Sequence, residues 1–120
     1  MSETLFTKSC TPCERGMPPL SADEAKQLHV GARDWILRDD AHRLEREFKF
    51  RNFGDALNFV VQVGAIAENE RHHPDISLSW GHAVVSLQTK TIKGLHENDF
   101  IMASKIDRAF DHVRMIGIVW

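Results

Sequence analysis

The sequence of 120 residues contains no tyrosine, only two cysteines, and nearly equal numbers of basic and acidic residues, with a formal net charge of -2. The missing tyrosine excludes phenolic acid catalysis, and the balanced charge argues against a direct nucleic-acid partner bound by bulk positive charge. No apolar run reaches the roughly 20 residues of a membrane span, and no signal-peptide pattern opens the sequence. We therefore expect a cytoplasmic protein with no membrane partner. Its seven histidines are the first candidates for acid/base chemistry.

The two cysteines, Cys10 and Cys13, form a CxxC motif. A redox pair of this kind is normally followed directly by a helix, whereas the segment that follows Cys13 is turn-like and ends in Pro18 and Pro19. A structural zinc site needs two further ligands at similar spacing, and the sequence has no second CxxC and no HxxxH. We favour two reduced thiols in an N-terminal arm and expect no metal site.

A chain of this length fits one domain, because folding can bury roughly two-thirds of its surface without a disulfide or a metal. No repeat, low-complexity tract or linker divides the sequence. We predict a single domain over residues 1–120, with an N-terminal arm at 1–20 and a C-terminal extension at 108–120.

Hydrophobic periodicity predicts the helices and strands. A capping box at Ser21–Glu24 starts a short helix, and acidic residues near Glu97 start the last one. Apolar residues alternate with polar ones over 44–50 and again over 76–87, where Gly81 marks a tight turn. The predicted order is α-β-β-α-β-β-α. The predicted fold class is α+β, with a four-stranded antiparallel sheet and helices packed on one of its faces.

The central predicted helix, over residues 53–69, is apolar around more than half of its circumference. Two adjacent apolar stripes account for this, the first formed by Phe53, Ala56, Leu57, Val60, Gly64 and Ala67 and the second by Phe59, Val63 and Ile66. Burial of both within one subunit would need more covering elements than so short a chain offers. We therefore predict a homodimer or homotetramer that assembles through this helix. The apolar tail at 115–120 is expected to dock on a subunit surface.

The densest cluster of ionisable residues, Glu68–Asp75, lies where this helix is expected to give way to a strand. Pro74 disfavours helical geometry at His73, so His72 and His73 can face one cleft from different directions. Glu68 falls at the margin of the apolar stripes. We expect its carboxylate to be partly buried close to the histidine pair, where it would orient an imidazole and fix its tautomer.

Three interpretations of this cluster are open on the residues alone. A metal site would need a third ligand, and adjacent histidines rarely chelate one ion together. A purely structural histidine at the helix end would gain about 0.3–1 kcal/mol from the helix dipole. Two histidines, a nearby carboxylate and a proline that fixes the backbone favour a general acid/base site, without naming a reaction.

With its surroundings, the cluster resembles the signature of the pterin-4a-carbinolamine dehydratase family. The similarity extends from about residue 21 to residue 107. The signature consists of an ionisable residue, His-His-Pro, an aromatic residue and a later aspartate. These positions are occupied by Glu68, His72, His73, Pro74, Trp80 and Asp99.

The resemblance implies loss of water from 4a-hydroxytetrahydropterin to give quinonoid dihydropterin, a step that recycles the cofactor of aromatic amino-acid hydroxylases. It implies no metal and no organic cofactor, and it makes such a hydroxylase a pathway partner. The implied acid/base residues are His72 and His73, with Glu68 orienting or polarising His72. The implied pterin-binding residues are Trp35, Pro74, Thr89, Lys90 and Thr91.

One position departs from the signature, because Lys90 stands where His or Trp is expected. A lysine amine, with a typical pKa near 10.4, stays protonated and is a poor acid/base substitute for an imidazole, although it can donate a hydrogen bond to the pterin. Some members of this family also act as protein-binding partners, in animals as a dimerisation cofactor for a homeodomain transcription factor. The alternative function is therefore non-enzymatic protein binding through the helix at 53–69.

Overall fold

The computed structural model describes the backbone of residues 2–116 and the side chains of residues 5–114. The strands are β1 (Ile36–Arg38), β2 (Arg43–Lys49), β3 (Asp75–Ser79) and β4 (His82–Leu87). The helices are α1 (Ser2–Thr7), α2 (Ala22–His29), α3 (Phe53–Glu70) and α4 (Glu97–Ile116), with short 3-10 helices at Val30–Ala32 and Lys90–Ile92. The strands pair antiparallel in the order β1-β2-β4-β3. The predicted α+β class and four-stranded antiparallel sheet are confirmed.

The two faces of the sheet differ in polarity, because side chains alternate along each strand. Leu44 and Phe48 of β2 and Leu87 of β4 are at most 1% exposed and belong to the core under the helices. The register pairs Leu44 with Leu87, so their side chains share that face. The predicted alternation over 44–50 and 76–87 thus corresponds to a sheet with one buried face, and the helices pack on that face.

Aromatic side chains join the sheet to α3 and α4. The ring of Phe59 in α3 lies 4.6 Å from Phe48 and 5.2 Å from Phe50 between ring centroids. Phe110 of α4 lies 5.0 Å from Phe48, edge to face. Because these rings are buried in contact with one another, they fix α3 and α4 relative to the strand that precedes α3.

The helix predicted over 53–69 is α3, which ends one residue later. It begins after Asn52, whose side chain accepts a hydrogen bond from the backbone N–H of Asp55. Its buried residues are Ala56, Phe59, Val63 and Ala67. Leu57 and Val61 are 43% and 62% exposed. The sheet therefore covers only part of the apolar circumference, and an apolar stripe faces outward in the single chain.

Helix α1 is an addition to the predicted element order. It has six residues, fewer than an isolated helix needs, and packs on α4 through Leu5, which is 6% exposed. So short a segment shows too few turns for a periodic pattern. Tertiary packing, rather than a signal in its own sequence, accounts for its formation.

The region predicted as a C-terminal extension begins inside α4, which continues without a break from residue 97 to 116. Phe110 and Val113 bury their side chains in the core. The tail predicted to dock on a subunit surface comprises residues 115–120. Residues 117–120 lie outside the described part of the chain, and so do the side chains of residues 115 and 116. Within residues 2–116, no helix combines the length and apolarity needed to cross a membrane.

Candidate active site

The end of α3 determines where the two histidines point. Arg71 adopts a left-handed conformation with φ of 56° and caps the helix, and its N–H donates to the carbonyl of Ala67. The N–H of His72 also bonds to that carbonyl, at 3.2 Å. His72, His73 and Pro74 then form a non-helical link to β3. The predicted change of backbone geometry before Pro74 is confirmed.

Both imidazoles border one cleft of about 390 Å³. Around it the structure brings together four segments of the chain: the end of α3, the turn after β4, the start of α4, and part of the N-terminal arm. The lining residues are Thr11, Pro12, Cys13, Arg71, His72, His73, Gln88, Thr89, Lys90, Thr91 and Asn98. Five of the eight predicted site residues therefore share this cleft.

His72 is held by a buried carboxylate that the sequence analysis did not assign to it. Its Nε2 lies 2.6 Å from Oδ1 of Asp99, which is 0% exposed, while the His72 side chain is 12% exposed. The other oxygen of Asp99 accepts from the Thr89 hydroxyl at 2.8 Å and from the His96 N–H at 3.0 Å. Because a carboxylate only accepts, this arrangement assigns the Nε2 proton to His72 and leaves Nδ1 as its free nitrogen.

The expected pairing of Glu68 with His72 is wrong, because Glu68 contacts His73 instead, through Nε2. The expected burial of Glu68 is also wrong: its side chain is 79% exposed and that of His73 is 61% exposed. Helical projection placed Glu68 at the margin of the apolar stripes, but the core buries residues drawn from both stripes and leaves this margin exposed. An exposed contact of this kind is screened by water and contributes little to stability.

Trp35 lies away from the cleft. It is 1% exposed, packs edge to face on Phe48, and donates its Nε1–H to Oδ1 of Asp107 at 2.8 Å. Arg46 contacts the same carboxylate oxygen at 2.6 Å. Burial nevertheless raises the pKa of Asp107 to about 6. Pro74, also predicted to bind the pterin, is absent from the described cleft lining.

The turn after β4 contains the remaining predicted residues. Thr89 is 4% exposed, and its backbone N–H and carbonyl both bond to Gly94, so the residue supports Asp99 and the turn. Lys90 and Thr91 are exposed on the short helix that follows. The Lys90 ammonium lies 3.1 Å from Oδ1 of Asp75, at the start of β3, so it is an ion-pair partner at the mouth of the cleft.

The two cysteines lie in the arm and form no disulfide. Burial, assisted by the negative charge of Glu70, raises the pKa of the Cys10 thiol to about 12, and burial also raises the pKa of the Cys13 thiol. Both are therefore protonated and weakly nucleophilic near neutral pH. The described residues contain no cluster of three or more His, Cys, Asp or Glu side chains suited to a metal ion.

Sequence reasoning missed Asp99 as the partner of His72 and missed Asn98 entirely as a site residue. For Asp99 a signal was present, since it occupies the last position of the signature motif. For Asn98 none was available, because its contacts with the arm span 87 residues of chain.

Three comparisons relate this chain to known proteins. The sequence profile of the pterin 4 alpha carbinolamine dehydratase family matches residues 18–109. A protein of Cupriavidus pinatubonensis with the provisional name pterin-4-alpha-carbinolamine dehydratase 1 is 59% identical over 105 residues, which cover 88% of this chain and 90% of that one. A protein of Azoarcus sp. with the same provisional assignment is 55% identical, over 90% of this chain and 92% of that one.

The fold comparison agrees with the sequence comparisons. A crystal structure from Brucella melitensis, described as a transcriptional coactivator/pterin dehydratase, superposes with a TM-score of 0.72 at 28% identity. The match covers 76% of this chain and 97% of that one.

Proposed function

This chain belongs to the pterin-4a-carbinolamine dehydratase family, and we propose that it dehydrates 4a-hydroxytetrahydropterin to quinonoid dihydropterin by histidine acid/base catalysis. One observation carries the proposal: two adjacent imidazoles, each with its own carboxylate partner, border a single cleft. A family profile and relatives above 50% identity name the reaction class. The geometry of the two histidines supplies the groups that such a reaction needs.

The reaction requires one proton to leave and one to arrive. The proton on N5 is removed as the double bond between N5 and C4a forms, and the bond between C4a and the hydroxyl oxygen breaks. The departing hydroxyl takes up a proton and leaves as water. One base and one acid within reach of the same ring are therefore sufficient, and no electrons enter or leave.

The surroundings of the two imidazoles favour different roles for them. His72 donates Nε2–H to buried Asp99, so its Nδ1 lone pair is fixed in orientation and suits removal of the N5 proton. His73 is largely exposed and can exchange protons with water, which suits delivery of a proton to the leaving hydroxyl. Asp99 acts through His72 and is a positioning residue.

The direct test uses the purified protein and the 4a-hydroxypterin generated in solution. The protein should accelerate the loss of the 4a-hydroxypterin absorbance, and His72→Ala should reduce the turnover number by about 100-fold or more. His112→Ala, which alters an exposed histidine on α4, is the matched control and should leave the rate unchanged. A wild-type rate no faster than that in buffer would rule out the enzymatic function.

The exposed stripe of α3 supports a second candidate function, binding of a partner protein. Leu57 and Val61 lie on this stripe with 43% and 62% of their surfaces exposed, and the Brucella melitensis neighbour is described as a coactivator as well as a dehydratase. We propose that the main role of the stripe is assembly of a homodimer or homotetramer. Placement in cytoplasmic pterin recycling beside an aromatic amino-acid hydroxylase belongs to the same proposal.

Substitution on the stripe tests assembly separately from chemistry. Val61→Glu should lower the oligomeric state measured by sedimentation velocity, because a charge would be buried without a partner. Val63 is unsuited to this test, since it is 0% exposed and a charge there would disrupt the core itself. An unchanged sedimentation coefficient for Val61→Glu would remove α3 from the interface.

A further inference from the structure

The N-terminal arm is part of the cleft. Thr11, Pro12 and Cys13 contribute to the lining together with the end of α3 and the turn after β4. We call residues 10–13 the arm segment. It has no helix or strand of its own, so side-chain and backbone hydrogen bonds to the rest of the chain must determine where it lies.

Asn98 makes the central attachment. Its Oδ1 accepts the N–H of Thr11 at 2.9 Å, and its Nδ2 donates to the carbonyl of Thr11 at 2.6 Å. The same Nδ2 lies 3.4 Å from Sγ of Cys13. The asparagine thus pairs with both polar groups of one peptide residue, as a neighbouring strand would. It is 3% exposed, and every hydrogen bond shown for its side-chain amide goes to the arm segment.

Glu70 makes a second attachment one residue earlier. Its Oε1 accepts the N–H of Cys10 at 2.8 Å, and its other oxygen lies 3.5 Å from the Lys105 ammonium. Burial of Glu70 would raise its pKa, but the Cys10 N–H and Lys105 outweigh that effect and hold the pKa of the carboxyl below its usual value. The carboxylate therefore remains ionised and keeps its hydrogen bond to the arm at neutral pH.

These attachments are adjacent in sequence to the residues that hold the histidines. Asn98 precedes Asp99, the partner of His72, in the first turn of α4, and Glu70 precedes the Arg71 cap that directs the histidine pair. The arm and the imidazoles are thus positioned by the same two helix ends. A ligand in the cleft would border both the arm segment and the imidazoles.

We propose that the arm segment is a wall of the substrate cleft and that Asn98 is the positioning residue that holds this wall in place. The inference rests on the proposed function, since it assigns the cleft to the pterin. Such a wall adds contact area to the bound ring. Its loss should weaken binding more than it slows the proton transfers, because neither histidine is bonded to the arm.

The test compares Asn98→Ala with Glu97→Ala. The second variant removes the neighbouring exposed ion pair with Lys8 and leaves Asn98 intact, so it serves as the matched control. Asn98→Ala should increase hydrogen exchange at the Thr11 amide and tryptic cleavage after exposed Arg15 by roughly tenfold or more, since two net hydrogen bonds are lost. It should raise KM, and the Kd for an oxidised pterin, by roughly tenfold while kcat stays within about threefold.

Thr11→Pro provides an independent variant, because it removes the N–H that bonds to Asn98 at an exposed position of the arm segment, and it should reproduce the rise in KM. Faster exchange in Asn98→Ala with unchanged KM and Kd would overturn the proposal and leave the arm a purely structural attachment. The proposal would also be overturned if Glu97→Ala changed KM and kcat as much as Asn98→Ala does. If the wild type binds no pterin and shows no turnover, the proposed function fails instead. The Kd of the wild type for the oxidised pterin therefore distinguishes failure of the proposed function from failure of the arm proposal.

Discussion

Asp99→Asn isolates the buried carboxylate that holds His72. The amide has the same shape, and its oxygen can still accept from the Thr89 hydroxyl and the His96 N–H. Its NH₂ group would then face Nε2 of His72, which lies 2.6 Å from Oδ1 in the wild type. Two donors cannot bond to each other, so His72 must adopt the other tautomer and present Nδ1–H to the cleft. The proposed base would lose the lone pair that accepts the N5 proton.

The two consequences of this change differ in size. Exchange of one charge-assisted hydrogen bond for a neutral one costs about 1–2 kcal/mol, which lowers Tm by roughly 4–10 °C in a domain of this size. The protein should therefore remain folded at 25 °C. Loss of a general base costs about 100-fold or more in turnover number. We expect kcat to fall by at least that factor while the circular dichroism spectrum is unchanged.

Initial rates at pH 7 and thermal denaturation of the same preparations check this prediction. Glu68→Gln is the control, because the pair of Glu68 with His73 is largely exposed and its loss should change kcat by less than about fivefold. If Asp99→Asn retained more than a third of the wild-type kcat, or if Glu68→Gln were the more damaging change, the assignment of His72 as the oriented base would be refuted.

Three further changes have measurable outcomes. Lys90→His restores the residue type that the signature expects and should raise kcat by about tenfold, since an imidazole titrates near neutral pH and a lysine amine does not; a lower rate would show that Lys90 has its own role. Burial raises the pKa of Asp107 from 3.8 to about 6, so the folded state binds more protons than the unfolded state between these values. The free energy of unfolding of the wild type relative to Asp107→Asn should therefore fall by about 2 kcal/mol between roughly pH 4 and pH 7, measured by urea denaturation, and a flat difference would contradict this. A Cβ added to Gly94 would lie 2.5 Å from Cβ of Pro19, so Gly94→Ala should destabilise the protein by about 1–3 kcal/mol, and an unchanged Tm would be inconsistent with this packing.

The parts of the fold that the sequence predicts are those with local causes. The capping box of Ser21 and Glu24 and the turn at Gly81, where φ is 78°, depend on residues a few positions apart. Both appear in the structure where expected. Helix α1 depends on packing against α4, some hundred residues later, and has no local pattern that would reveal it.

In the candidate site, too, the features with local causes were predictable and those that depend on distant residues were not. The departure from helical geometry at His73 follows from the neighbouring Pro74 and was predictable. The end of the helix before His72 depends on the left-handed conformation of Arg71. The choice of carboxylate partner was not, because Asp99 is 27 residues from His72 and reaches it only through the turn after β4. Helical projection gives the angular position of Glu68 around the axis of α3, but it does not show which side of α3 the sheet covers.

The attachment of the arm segment has a consequence for the order in which the cleft can form. Thr11 is synthesised 87 residues before its partner Asn98, so the nascent arm has no docking site until α4 emerges from the ribosome. Closing a loop of that length costs on the order of 4 kcal/mol in chain entropy. Asp99 arrives with the same helix turn. A nascent chain that ends before α4 therefore carries the histidine pair without its buried carboxylate and without an anchor for the arm segment, so the proposed site is complete only once α4 has joined the fold.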